Sequence, residues 1–388
     1  MNILLLTAVY PSPNELKIPQ DTKAIHYFAR EWKKNGHVVE VLYLYLRPLS
    51  RMTLSSIKHI FVSKQSEYVI DDVNVTLFQR QLFIPHSNQL TNFQLNSFQK
   101  EYLMFLKRLG LKKFIPDVIC VHFPMCFEGL RLSVPETCKS IATFHTCDML
   151  SLENMTNSLA NDAFLGQFNQ ICCRNQTISS YLHDHFGYDP FVVYSGIDEE
   201  LIDSSIIKDK KSEIMRIVFA GNLIPLKNVD VLIKSLSRVL FPWRLTVIGD
   251  GSERKKLEKL VKELKLENKV RFVGRLTRVE TIDEMRKSDV FVMVSKPETF
   301  GLVYLEAMAQ GCVVVGSKGQ GIDGVIKNGE NGFLVSPNNV DELVNTLNGI
   351  SRMTNNKITS LIYNAYQTAC EMTDKKMAQK YLDIIQSN

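Results

Sequence analysis

Two glutamates eight positions apart, Glu298 and Glu306, bracket Phe300, Gly301 and Leu302 inside the run SKPETFGLVYLEAMAQG. At about 1.5 Å of rise per helical residue, their backbones lie roughly 12 Å apart, and farther if the first sits in a loop. Carboxyl pairs that flank one glycosidic bond are about 5 to 9.5 Å apart. The spacing therefore favours two carboxylates gripping separate hydroxyl-bearing ends of one ligand. Backbone N–H groups of Phe300, Gly301 and Leu302 would be unpaired at a helix N-terminus and would attract phosphate oxygens. Gly301 would let that backbone approach the ligand closely. Lys227, in the loop after the strand-like run RIVFAGN, would give charge-assisted hydrogen bonds to the same anion. The plain alternative is a solvated pair of glutamates and a solvated loop lysine, and the surrounding pattern must decide.

That pattern begins with size. A chain of 388 residues, 45% hydrophobic and 22% charged, can bury two separate cores. A net charge of +5 over this length is too mild to announce a nucleic-acid face. The opening MNILLLTAVYP reads as a first strand rather than a signal peptide, and no apolar run is long enough to span a bilayer. The eight cysteines form no CxxC pair and read as reduced thiols of a cytoplasmic protein.

Short apolar runs alternate with longer amphipathic stretches: NILLLT, VVEVLYLYL, NVTLF, DVICVHF, SIATFH, ICC and FVVYSG, then again RIVFAGN, RLTVIGDG, KVRFVGR, DVFVMVS, CVVVGSKG and GFLV. Such runs are the buried strands of parallel sheets. The first helix, DTKAIHYFAREWKKNG, has Asp21 or Thr22 as cap and Gly36 as stop. The expected fold is α/β, two Rossmann-like doubly wound domains facing across a cleft. The expected boundaries are 1–197, a polar linker at 198–212, a second domain at 213–372, and a last helix at 373–388 that crosses back to the first domain.

In the second half, FAGNLIPLKNVDVLIKSL, VIGDGSERKKLEKL and PETFGLVYLEAMAQGCVVV follow one another in order. Together they resemble the donor-binding domain of the GT-B glycosyltransferases, in particular glycosyltransferase family 4 with its E-x7-E signature. The resemblance is strong over about 216–332 and weaker over the first domain. It implies that Glu298 meets hydroxyls of a donor sugar, that Glu306 binds ribose hydroxyls, and that the backbone of Phe300, Gly301 and Leu302 holds the distal phosphate or sugar. It further implies that Lys227 neutralises the diphosphate and that the backbone of Arg275 meets the base. Gly249 opens a strand-to-helix turn, for which a donor contact and a purely structural turn both stand. One departure concerns Asn222, where the family usually has arginine. A lysine cannot reproduce the bidentate grip of a guanidinium, so either another cation such as Arg174 compensates or the diphosphate is held more weakly.

In the first domain, SIATFHTCDML resembles the family's T-x-HG-x-D. This implies a catalytic and acceptor-facing role for His145 and an acceptor-facing role for Asp148, with His122 a lesser candidate. The family's usual glycine pair is absent from PSPNELKIPQ. Two basic and apolar stretches, LRPLSRMTLSSIKHIFVSK and QKEYLMFLKRLGLKKF, suit either an anionic membrane interface or ordinary core helices with wet lysines.

The resemblance implies a retaining, metal-independent transfer of a hexose or N-acetylhexosamine from a nucleotide-diphosphate sugar, UDP being the expected carrier. The expected acceptor is a glycan, lipid-linked, in cell-surface polysaccharide synthesis. No cofactor and no nucleic acid are expected, and the place of action is the cytoplasm or the inner face of its membrane. A soluble acceptor, or a weakly catalytic sugar-nucleotide-binding partner subunit, are the alternatives. A nicotinamide-dependent oxidoreductase would need G-x-G-x-x-G after its first strand, and LLTAVYPSPNE lacks it.

Overall fold

The structure, a computed structural model, describes residues 1–387 apart from 17, 19–22, 48–53, 83–89, 154–164 and 203–212. Asp21, Thr22 and most of the expected linker therefore lie outside the described residues. The chain forms two compact units: 1–174 with 178–193 and 377–388, and 175–177 with 194–376.

In the first unit eight strands form one sheet. They are β1 (Asn2–Thr7), β2 (Val38–Arg47), β3 (Lys64–Ile70), β4 (Val73–Gln81), β5 (Val118–His122), β6 (Lys139–Phe144), β7 (Gln170–Cys173) and β8 (Phe191–Val192). Their order is β3-β4-β2-β1-β5-β6-β7-β8, and every pairing is parallel except β3 with β4. Central strands such as β1 and β5 are buried on both faces, which is why they read as unbroken apolar runs. From Met377 the last helix, Asp374–Gln386, belongs to this unit. Trp32 Nε1 donates to the carbonyl of Ala378 at 3.1 Å, and the Tyr381 hydroxyl lies 2.6 Å from Thr143 Oγ1.

The second unit is a six-stranded, wholly parallel sheet. Its strands are β9 (Met215–Ala220), β10 (Trp243–Ile248), β11 (Val270–Gly274), β12 (Val290–Val292), β13 (Val313–Ser317) and β14 (Phe333–Val335), in the order β11-β10-β9-β12-β13-β14. The chain builds outward from β9 in one direction, then returns to β12 and builds in the other. The loops after β9 and β12 thus leave the sheet on opposite sides of a topological switch point, where open α/β sheets bind their ligands.

Candidate functional site

Each unit carries its candidate residues at the carboxyl ends of its strands. In the second unit the loop after β9 runs through Asn222 to a 3-10 turn, Pro225–Lys227. Asn228 then takes a left-handed conformation and its side-chain amide donates to the carbonyl of Val294 at 2.8 Å. The amide of Lys296 donates to the carbonyl of Leu226 at 2.8 Å. The β9 and β12 loops are thereby pinned to each other.

This pinning sets Lys227 Nζ 2.5 Å from Glu298 Oε2, in a pair whose side chains are only 20% and 12% exposed. Ser295 Oγ donates to the same oxygen at 3.2 Å. Glu298 Oε1 has no hydrogen-bond partner among the described residues, so it can accept from a hydroxyl. The Glu298 backbone is held from the other side, its N–H donating to Gln320 Oε1 at 3.0 Å and its carbonyl accepting from Gly321 at 2.9 Å. Gly321 must be glycine, since a Cβ there would stand 2.1 Å from the Thr299 carbonyl oxygen.

The helix Leu302–Ala309 starts at Gly301, whose φ of +79° and whose Cβ position, 2.7 Å from the Tyr304 ring, both demand glycine. Tyr304 is buried beneath that turn and its hydroxyl donates to the Met293 carbonyl at 2.5 Å. The Phe300 side chain is buried against Tyr194, ring centroids 5.6 Å apart. Only the backbone of Phe300 and Gly301 is therefore available to a ligand.

Glu306 lies in that helix and is not part of the Lys227 pair. Its Oε1 accepts from Arg278 Nε at 3.2 Å and Nη2 at 2.9 Å, which leaves Oε2 for another donor. Arg278 is a residue of this site that sequence reasoning missed. Arg275 is exposed directly after β11, whereas Arg278 opens the helix Arg278–Arg286 behind the Thr277 cap and turns back to Glu306. Asn222 is exposed beyond the end of β9. Gly249, at φ +127°, packs where a Cβ would stand 1.9 Å from the Gly221 carbonyl oxygen, so the strand ends themselves require it.

In the first unit the candidate side chains are enclosed. His145 is 6% exposed and its ring stacks on Phe123 at 3.8 Å. Its Nε2 lies 3.1 Å from His122 Nδ1, because β5 and β6 are neighbours and the two histidines sit at their ends. It is thus a paired, buried imidazole and not a freely projecting base. Asp148 is enclosed as well. Its Oδ2 accepts from the His145 backbone N–H at 2.7 Å and its Oδ1 from that of Met125 at 3.2 Å, so the carboxylate clamps two loops. Arg174, named as a compensating cation, is buried in this unit with its guanidinium 5.0 Å over the Phe28 ring.

Burial first, and then the Arg174 charge, hold the His122 and His145 imidazoles well below their ordinary pKa of 6.5, with His145 further depressed by His122. Burial pushes Asp148 up to about 7 against the pull of its two backbone hydrogen bonds. The signs follow from linkage. The histidines' contribution is complete above 6.5 and is lost as pH falls, because the unfolded chain takes up protons that the folded chain refuses. The contribution of Asp148 is complete below 3.8 and is lost as pH rises toward 7. Buried His26, also lowered, joins the first group. His37, also lowered, joins them, and Glu128, raised by burial, joins Asp148. Four imidazoles outweigh two carboxyls, so the first unit is expected to melt at a lower temperature at pH 5 than at pH 7.5, and His122→Gln to reduce that difference in calorimetry. Equal melting at both pH values would contradict the neutral histidine pair.

Among the described residues no group of three or more His, Cys, Asp or Glu side chains is arranged to hold a metal ion, and no helix is long and apolar enough to cross a membrane.

Comparison with known proteins adds the following. A family model described as "Glycosyl transferases group 1" matches residues 199–368, and one described as "Glycosyltransferase Family 4" matches residues 22–201. An uncharacterized glycosyltransferase of Methanocaldococcus jannaschii is 29% identical over 233 residues, 58% of this chain and 63% of that protein. N-acetyl-alpha-D-glucosaminyl L-malate synthase of Bacillus anthracis is 28% identical over 232 residues, 57% of this chain and 58% of that protein. Both matches span less than two thirds of the relatives' own length. Among solved structures, Anabaena HepE in complex with UDP aligns over 100% of both chains with a TM-score of 0.72 at 19% identity.

Proposed function

We propose, from the premise that the chain belongs to glycosyltransferase family 4 of the GT-B fold, that it moves a hexose or N-acetylhexosamine from a UDP-sugar to a hydroxyl of a lipid-linked saccharide, with retention and without a metal, at the cytoplasmic face of a membrane. The observation that carries this reading is the disposition of two carboxylate–cation pairs, Lys227 with Glu298 and Arg278 with Glu306. They occupy the two ends of one short segment at the switch point of the second sheet, and each leaves one carboxylate oxygen open.

Glu298 Oε1 would accept from a hydroxyl of the donor sugar, and Glu306 Oε2 from a ribose hydroxyl. Between them the Gly301 turn would offer backbone N–H groups to the distal phosphate. As the bond from the sugar to the diphosphate breaks, negative charge grows on the departing oxygen. The Lys227 ammonium has three donors and spends one on Glu298, so two remain for phosphate oxygens where that charge develops.

Thermal-shift measurement with UDP, GDP and ADP sugars tests the reading. A donor present at one hundred times its Kd adds about 2.7 kcal/mol of stability, so a UDP-sugar is expected to raise the melting temperature and the other bases to do less. The absence of any shift would sink the proposal. A second reading, a sugar-nucleotide-binding subunit with little turnover, draws on exposed Asn222, which offers no guanidinium to the diphosphate. A thermal shift without transfer to any lipid-linked or soluble acceptor would favour it.

A further inference from the structure

The helix Asn92–Leu111 is apolar on the side that a surface helix gives to water. Its inner face is ordinary, with Phe98, Tyr102, Phe105 and Leu109 buried in the core of the first unit. The opposite face should then be polar. Instead Phe93, Met104 and Leu111 are 63%, 69% and 79% exposed. With the exposed Lys100 and Lys107 they fall at steps of seven, four, three and four residues, which puts all five on one line along the helix. At about 1.5 Å per residue the line is roughly 27 Å long. Phe61 meets Phe93 edge to face at 5.5 Å, and Phe61, Val62 and Ile115 are exposed as well.

The charge on this face has one sign. Lys100, Lys107, Lys112 and Lys113 are exposed, and none has an ion-pair partner among the described residues. Glu101 is the helix's sole acid, and it is engaged elsewhere. Its Oε2 accepts from Arg80 and Ser63, both at 2.7 Å, and its Oε1 from the Ser63 backbone at 2.8 Å.

We propose that this line of side chains docks the first unit onto an anionic phospholipid surface, Phe93, Met104 and Leu111 entering the headgroup boundary and the lysines meeting lipid phosphates. Protein-binding patches are depleted in lysine, whereas an anionic bilayer rewards apolar residues and lysines on the same helix face. The inference rests on the proposed lipid-linked acceptor for its purpose, but not on the chemistry of transfer.

Cosedimentation of the full chain with vesicles of phosphatidylglycerol and phosphatidylcholine, set against phosphatidylcholine alone, tests it. Binding is expected to the anionic vesicles, to weaken with salt, and to fall at least tenfold in Met104→Asp/Leu111→Asp and in Lys100→Glu/Lys107→Glu. All four positions are on the surface, so the UDP-sugar thermal shift should be the same in both variants. No binding by the unaltered chain, or undiminished binding by both variants, overturns the proposal. A concentration-dependent dimer dispersed by Met104→Asp would also overturn it, since the line would then belong to a second copy. Anionic-vesicle binding that the variants lose, in a chain no nucleotide sugar stabilises, upholds the docking surface and sinks the transferase reading. The opposite combination sinks the docking surface alone.

Discussion

Glu298→Ala is expected to lower kcat/KM for sugar transfer roughly 100- to 1,000-fold, about 2.7 to 4 kcal/mol of transition-state stabilisation, with little change in melting temperature. The size follows from what the side chain does. Its Oε2 holds the Lys227 ammonium at 2.5 Å and its Oε1 is open, so truncation would remove both the proposed sugar contact and the group that aims the cation. The fold should survive because the backbone of residue 298 is held by Gln320 and Gly321, neither of which bonds the carboxylate. Lys227→Ala should cost a similar factor. The double variant should lose much less than the product of the two, since side chains in direct contact are coupled. A fall in kcat larger than any rise in KM would place the interaction in the transition state. Full activity of Glu298→Ala, or strict additivity in the cycle, would show that the pair is a surface ion pair and nothing more.

The second large effect is on stability. Gly249→Ala is expected to destabilise the second unit by roughly 3 to 5 kcal/mol, because the backbone is strained for any side chain and the clash falls on main chain. The Cβ would meet the Gly221 carbonyl oxygen at 1.9 Å at a φ of +127°. Gly249 N–H also donates to the Gly274 carbonyl at 2.8 Å, and Gly221 N–H to that of Ile248 at 3.0 Å, so the ends of β9, β10 and β11 would all have to part. Urea unfolding can be followed in the second unit by Trp243, with Trp32 replaced by phenylalanine to silence the first. Gly349→Ala is the control. It lies in the helix Val340–Ser351 with open space where the methyl would go, and should be neutral or stabilising by up to about 1 kcal/mol. Equal stability of the two variants would refute the packing argument.

The sequence was most legible where burial is two-sided. Strands such as β1, β5 and β13 carry apolar residues on both faces and declare themselves as runs. β3 was missed because it is an edge strand in which Lys64, Glu67 and other exposed residues interrupt the apolar positions. The Glu298 and Glu306 segment was legible because its elements follow each other along the chain. Arg278 was not, since its partner lies 28 residues away and only the adjacency of two helices joins them. The same limit hid the His122 and His145 contact, which exists because β5 pairs with β6. The hydrogen bonds of Asp148 were hidden for a local reason: a carboxylate four residues after a strand end can serve a ligand or close a turn, and only the structure shows it bonded to the backbone of Met125 and His145.

The Lys227 and Glu298 pair has a consequence for turnover. On the proposed reading, a whole donor would occupy Glu298 Oε1 with its sugar and two of the Lys227 donors with its phosphates. Once the sugar has gone, the contact at Oε1 would be lost and the spent nucleotide would be held by the ammonium alone, whose charge the carboxylate 2.5 Å away already partly offsets. The same carboxylate would then strengthen the hold on the whole donor without strengthening it on the by-product. Easier release of the by-product would follow from the contact that positions the reacting sugar.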